Sequence, residues 1–114
     1  MVKHMETLYE MQQKQSELLK GIEHPRLGNI LGLFEEVGEV AKEITEIEMY
    51  GQSKQVDLGK ECADVLFSLL SLCDSYGINL SDEYTAKVEE IKGKIPEWKV
   101  KYGKTLGDLR RKLD

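Results

Sequence analysis

Hydrophobic residues recur at spacings of three and four along most of the chain, which places them on one face of an α-helix. Proline occurs only at positions 25 and 96, so few positions oblige a helix to stop. The pattern predicts an all-α protein with four helices. The second helix is the longest, over about residues 27–49, and its apolar stripe consists of Ile30, Leu33, Val37, Val40, Ile44 and Ile47.

The first helix is expected over about residues 5–20 and the third over about 58–76. Each is followed by a glycine, Gly21 and Gly77, of the kind that ends helices. A polar loop, residues 50–53, joins the second helix to the third. The inner side of the first helix is expected to carry Leu8, Met11, Gln15, Leu18 and Leu19.

The fourth helix is expected to open at Ser81, a residue type that caps helix N-termini, and to run to about residue 93. Gly93 and Pro96 are expected to interrupt it, because glycine weakens a helix and proline removes a backbone donor. Residues 94–114 then form a C-terminal extension, either a short helix or an arm on a partner subunit.

Length and charge exclude several classes of protein. A chain of 114 residues is one small domain, 1–114, with a core over about residues 5–93. Its net charge of −5 argues against nucleic acid as a partner. No apolar run approaches the ~20 residues of a membrane span, and the first twenty residues are too charged for a signal peptide. We therefore expect no membrane association and a cytoplasmic location. Cys62 and Cys73, ~16.5 Å apart along one helix, are expected to be free thiols in the core.

Acidic residues are concentrated in the middle of the chain. At 100° per residue, Glu36 and Glu39 lie beside the apolar stripe of the second helix, and Glu61 and Asp64 hold the same relation to that of the third. If these helices pack antiparallel, the four carboxylates converge at one edge of their interface. Their mutual repulsion then requires a cation, and oxygen ligands without His or Cys select Mg²⁺ or Mn²⁺. The alternative is that all four are solvated positions of amphipathic helices.

A resemblance to a known family rests on two segments. The sequence LFEEVGEVAKEI, residues 33–44, followed after a linker by ECADVL, residues 61–66, resembles the signature of the MazG-like all-α nucleoside triphosphate pyrophosphohydrolases. The resemblance implies a four-helix unit with Mg²⁺ held by the acids, assembled as a homodimer or a dimer of dimers. It also implies cleavage of (deoxy)nucleoside triphosphates between the α and β phosphates, which yields the monophosphate and pyrophosphate and suits house-cleaning of the nucleotide pool.

The resemblance also implies roles for particular residues. The catalytic and metal-binding positions are Glu36, Glu39, Glu61 and Asp64. One of the four acids, such as Glu36, could instead act as the general base on the attacking water. Lys87 matches a basic position of the family, and Gln12 is the nearest candidate for a contact of the first helix with the base. Lys94 is a further candidate for contact with the triphosphate, and a solvated surface lysine is the alternative.

Two other functions fit parts of the sequence. A non-enzymatic helical bundle could bind a basic partner through its acidic stripe, and it would need no metal. A di-iron carboxylate bundle would require Glu-x-x-His pairs, which neither His4 nor His24 supplies. Incubation with Mg²⁺ and nucleoside triphosphates distinguishes the enzyme from the interaction module.

Overall fold

The computed structural model describes residues 5–52 and 55–114. Within these residues it contains four α-helices and no strand, which confirms the all-α prediction. The helices are α1 (Leu8–Leu18), α2 (Arg26–Thr45), α3 (Gln55–Ser75) and α4 (Leu80–Leu113), and a π-helical turn, Glu46–Tyr50, extends α2. The chain divides into two units, Met1–Leu80 and Ser81–Asp114, and the organisation as one domain stays a prediction.

The N-terminus of α1 is fixed by a capping box. The hydroxyl of Thr7 accepts a hydrogen bond from the backbone N–H of Glu10 at 3.1 Å, and the Glu10 carboxylate accepts one from the N–H of Thr7 at 3.2 Å. This reciprocal pair satisfies two backbone donors that a helix start leaves unpaired. The helix therefore begins at Leu8, later than the apolar pattern predicted.

The buried side of α1 is more polar than predicted. Met11 and Leu18, both expected inside, are 39% and 73% exposed, whereas Gln12 and Gln15 are 4% and 9% exposed. Both glutamine side chains donate hydrogen bonds to backbone carbonyls in α3 or in the turn that follows it. Because these bonds hold α1 against α3, the aliphatic side chains on its flanks remain in solvent.

The helices α2 and α3 run antiparallel. At one end of the pair, the guanidinium of Arg26 lies 5.1 Å from the centre of the Tyr76 ring, a cation–π contact. At the other end, Ile47 of the π-helical turn and Leu58 of α3 line one small cavity. The start of α2 therefore lies beside the end of α3, and the end of α2 beside the start of α3, which confirms the predicted antiparallel arrangement.

The apolar core of the described residues is small. Leu70 and Cys73 of α3 are its buried apolar members, at 3% and 6% exposure. Val37 and Ile44, which belong to the predicted apolar stripe of α2, are 49% and 45% exposed. Both cysteines are free, as predicted, but the core position predicted for Cys62 is wrong, because this residue is exposed.

The predicted loop before α3 ends at Ser53, which lies outside the described residues. α3 itself ends at Ser75, two residues before Gly77, whose positive φ of 68° is a conformation that glycine adopts without steric cost. The N–H of Ile78 then donates to the carbonyl of Cys73 at 2.9 Å. α4 begins at Leu80, so Ser81 lies in its first turn rather than at the N-cap.

The predicted interruption of the fourth helix is wrong. α4 continues through Gly93 and Pro96 as one helix of 34 residues, so residues 94–114 are not a separate short helix. The alternative, that they form an arm on a partner subunit, stays a prediction. Ion pairs one helical turn apart bracket the proline and support the helix on both sides of it. These pairs are Glu90–Lys94 at 3.2 Å and Glu97–Lys101 at 2.7 Å.

In the part of the chain that the structure describes, no helix combines the length and the apolar character that a membrane crossing requires.

Candidate functional site

Three acidic side chains converge between α2 and α3. Glu36 of α2, Glu61 and Asp64 of α3 each place a carboxylate oxygen within 4.8 Å of the other two. The i, i+3 spacing puts Glu61 and Asp64 on one side of α3, and the antiparallel pairing brings Glu36 opposite them. Glu36 and Glu61 are partly buried, whereas Asp64 is exposed. We call these three residues the acidic cluster.

The electrostatics of the acidic cluster favour protonation or a bound cation. Partial burial raises the pKa of Glu36 above its ordinary value, and the negative charge of Asp64 raises it further. Partial burial is likewise the largest cause of the raised pKa of Glu61, and the negative charges of Asp64 and Glu39 raise it further. Each cause penalises the ionised carboxylate, so the folded protein holds these protons more tightly than the unfolded chain.

Glu39, the fourth predicted ligand, lies beside the acidic cluster rather than within it. Its carboxylate is outside the group of oxygens that lie within 4.8 Å of one another. Its charge nevertheless contributes to the raised pKa of both Glu36 and Glu61. Glu43 acts on Glu61 in the same way and was not predicted as a site residue, although it follows Glu39 by one turn of the same helix.

The donor set of the acidic cluster fits a hard divalent cation. All three side chains offer oxygen atoms, and no histidine or cysteine belongs to the group. Mg²⁺ and Mn²⁺ prefer such ligands, and a divalent charge offsets the repulsion among carboxylates. The acidic cluster could therefore bind a metal ion.

A cavity of about 620 Å³ lies between α1, α2 and α3 and reaches Glu36 of the acidic cluster. Its volume is within the range of small-molecule sites. Small residues spaced by one helical turn leave this space open, and they were the sequence signal for it. They are Gly28 and Gly32 on α2, and Ser68, Ser71 and Ser75 on α3. None of them is among the predicted site residues.

Gln15 lines this cavity and joins α1 to α3 by hydrogen bonds. Its side-chain amide donates to the carbonyl of Phe67 at 2.6 Å and to the hydroxyl of Ser71 at 2.7 Å. Next to it, the hydroxyl of Ser16 donates to the carboxylate of Asp74 at 2.9 Å. These bonds fix the wall that α1 contributes to the cavity.

Gln12, predicted to contact the base, has partners within the chain. Its amide donates to the carbonyl of Ile78 at 2.7 Å, and its side-chain oxygen accepts from the N–H of Leu80 at 3.2 Å. Both ends of the side chain are thus engaged by the turn after α3. Gln12 also lines the cavity, and its contact with substrate stays a prediction.

Replacing Gln12 with Leu is expected to destabilise the protein by about 1–3 kcal/mol, because the carbonyl of Ile78 and the N–H of Leu80 lose a partly buried partner. Gln13→Leu is the matched control, since Gln13 is an exposed residue of the same helix. Urea unfolding of both variants measures the difference. Equal midpoints for the two would show that the hydrogen bonds of Gln12 contribute nothing to stability.

Lys87 and Lys94 lie on α4, in the second unit, and both pair with Glu90. Their ammonium groups lie 2.8 Å and 3.2 Å from its carboxylate. Hydrogen bonds from Lys87 and then from Lys94 lower the pKa of Glu90 below its ordinary value. The substrate contacts proposed for the two lysines stay predictions.

Comparison with protein families adds to this geometry. A family model for the MazG nucleotide pyrophosphohydrolase domain matches residues 25–97, nearly two thirds of the chain. The chain belongs to this family. The match to the MazG domain begins one residue before α2, contains the acidic cluster and ends within α4. Searches of curated proteins and of solved structures gave no significant match.

Proposed function

We propose that this MazG-family protein is a Mg²⁺-dependent nucleoside triphosphate pyrophosphohydrolase that hydrolyses the bond between the α and β phosphates. The observation that carries the proposal is the convergence of Glu36, Glu61 and Asp64, of which Glu36 also lines a cavity large enough for a nucleoside. The products are the nucleoside monophosphate and pyrophosphate. Mn²⁺ fits the same ligands and is expected to replace Mg²⁺.

The residues of the acidic cluster divide the work of the reaction. Asp64 and Glu61 would hold the cation, and the negative charge of Glu39, which already acts on Glu36 and Glu61, would add to the attraction. When bound, the cation neutralises the charge of the triphosphate and makes a bound water more acidic. Glu36 belongs to the acidic cluster and also lines the cavity, which supports a role for its carboxylate in orienting the attacking water and taking a proton from it.

The cavity supports a nucleoside as the organic part of the substrate. Its walls offer hydrogen-bonding groups from all three helices of the first unit, including Gln15, Asn29 and Ser68. Lys87 and Lys94 are proposed to contact the phosphates once substrate is bound. We further propose a cytoplasmic role in clearing unwanted nucleotides, which is supported by two free thiols of the kind that reducing compartments preserve.

A substrate panel tests the proposed activity. The protein is incubated with Mg²⁺ and each common or oxidised (deoxy)nucleoside triphosphate, and pyrophosphate and orthophosphate are assayed separately. We expect pyrophosphate from at least one member of the panel. Orthophosphate as the direct product would mean that another bond is cut, and inactivity over the whole panel would favour an acidic interaction module.

We propose that the protein assembles as a homodimer or a dimer of dimers. The support is the exposed apolar surface: Phe34 and Phe67 are 68% and 43% exposed, in addition to Val37 and Ile44. Large apolar side chains left exposed in this number are typical of interfaces. Light scattering at micromolar concentration is expected to give at least twice the 13.0 kDa of one chain. A particle of 13.0 kDa would refute the proposal.

A further inference from the structure

One face of α4 carries an apolar stripe along almost its whole length. At 100° per residue, nine side chains fall within an arc of about 80°. They are Tyr84, Val88, Ile91, Ile95, Trp98, Tyr102, Leu106, Leu109 and Leu113. Eight of the nine are 36–80% exposed, with Leu113 at the upper limit. The family match ends at residue 97, so the C-terminal half of this stripe lies beyond the matched residues.

The spacing of the stripe is symmetric about its centre. Apart from Trp98, its members pair off so that the two residue numbers of each pair add to the same value. The pairs are Tyr84 with Leu113, Val88 with Leu109, Ile91 with Leu106, and Ile95 with Tyr102. A helix with this property can pack antiparallel against a copy of itself so that each of these eight residues lies opposite its pair member in the other copy. The centre of symmetry falls between Trp98 and Lys99.

The charges of α4 match the same arrangement. Residues 80–97 carry three basic and five acidic side chains, whereas residues 98–114 carry six basic and two acidic ones. An antiparallel pair therefore brings the acidic half of each helix against the basic half of the other. On one flank of the stripe, Glu83 comes within two residues, or ~3 Å along the axis, of the position opposite Lys112. Such flanking charges select partner and orientation in paired helices.

We propose that α4 binds α4 of a second copy of this chain in an antiparallel pair centred between Trp98 and Lys99. The apolar stripes face each other, with Ile91 of each copy opposite Leu106 of the other. The mean spacing of the stripe is about 3.6 residues, the period of a straight helix, so the pair needs little supercoiling. This proposal concerns assembly through α4 and does not depend on the proposed enzymatic function.

Zero-length cross-linking of the full-length protein tests the pairing. A carbodiimide joins a carboxylate to an amine only where the two are in contact. Glu83 and Lys112 are ~44 Å apart within one straight helix, so a link between them has to join two chains. In an equal mixture of ¹⁴N- and ¹⁵N-labelled protein, we expect a Glu83–Lys112 peptide pair that contains both isotopes.

Variants on the stripe test the register. Leu106→Glu is expected to reduce the Glu83–Lys112 link about tenfold, because it places a charge in the apolar contact. Val100→Glu is the matched control, since Val100 is 88% exposed on the opposite side of α4, and it is expected to retain the link. Adding Ile91→Lys to Leu106→Glu is expected to restore the link by placing opposite charges across the pair. Circular dichroism verifies that each variant keeps its helix content.

Three results would overturn the proposal. One is the absence of any Glu83–Lys112 link in the wild type. Another is a link that Leu106→Glu leaves unchanged, or that the double variant fails to restore. The third is the binding of vesicles rich in anionic lipid by the wild type, lost in Leu106→Glu and unaccompanied by the link, because the stripe would then belong to a membrane surface.

Discussion

Replacing Asp64 with Asn is expected to raise the melting temperature of the metal-free protein and to remove nearly all of its activity. The change takes one negative charge out of the acidic cluster with little change in volume, so the charge of Asp64 no longer repels Glu36 and Glu61. It also removes one of the cation's ligands. A substitution that stabilises the protein and abolishes function is typical of a site held together against its own repulsion.

Paired melting curves at neutral pH, in EDTA and in millimolar Mg²⁺, measure this effect. Binding that is confined to the folded state adds about 2.7 kcal/mol when free Mg²⁺ exceeds its Kd a hundredfold. The wild type is expected to gain this stabilisation, and Asp64→Asn less of it. Asp114→Asn is the control, because it makes the same change of charge at an exposed residue outside the acidic cluster. An equal Mg²⁺ shift in Asp64→Asn and the wild type would show that Asp64 is not a ligand.

Metal-free wild type is expected to lose stability as the pH rises from about 4.5, the ordinary pKa of these glutamates, through the raised folded pKa of Glu36 and Glu61. Because the folded pKa lies above the unfolded one, the folded state binds more protons than the unfolded chain in this window. Proton binding therefore stabilises the folded state at low pH, and this stabilisation is lost as the pH rises. The stabilisation is complete below the unfolded pKa. Mg²⁺ is expected to reverse the loss, since it replaces the protons.

Glu36→Gln and Glu61→Gln isolate this contribution. Each variant is expected to show a shallower fall of melting temperature with pH in EDTA than the wild type. Both variants retain the surrounding acids that act on these two positions, namely Glu35, Glu39, Glu43 and Asp64. Because the charge of Glu36 also raises the pKa of Glu61, Glu36→Gln reduces that contribution as well. Glu90 contributes with the opposite sign, because its pKa is lowered, but equally in all three proteins. Parallel curves for variant and wild type would contradict the raised pKa.

The acidic cluster could be predicted from the sequence because its geometry is local. The i, i+3 spacing of Glu61 and Asp64 fixes their direction on α3, and the apolar stripes of α2 and α3 fix how the two helices face each other. Spacing alone could not predict that Glu39 lies outside the group, because the distance between carboxylates also depends on side-chain positions. The same limit applies to Gln12, whose partners at Ile78 and Leu80 are distant in sequence.

The errors have physical causes as well. Proline usually breaks a helix, but Pro96 lies in a long helix with ion pairs on both sides of it. Cys62 belongs to an apolar arc of α3 that is wider than the first unit of one chain covers. The cavity is not predictable from the pattern of hydrophobic and polar residues, because the small side chains that leave it open carry little signal in that pattern.

Whether the carboxylates between α2 and α3 cleave the α–β bond of a nucleoside triphosphate is measured most directly by ³¹P NMR of the products. The wild type in Mg²⁺ is expected to give the signals of nucleoside monophosphate and pyrophosphate, which EDTA abolishes. Glu61→Gln, with unchanged helix content, is expected to give neither signal. Nucleoside diphosphate and orthophosphate as products, or undiminished turnover by Glu61→Gln, would contradict the proposed function.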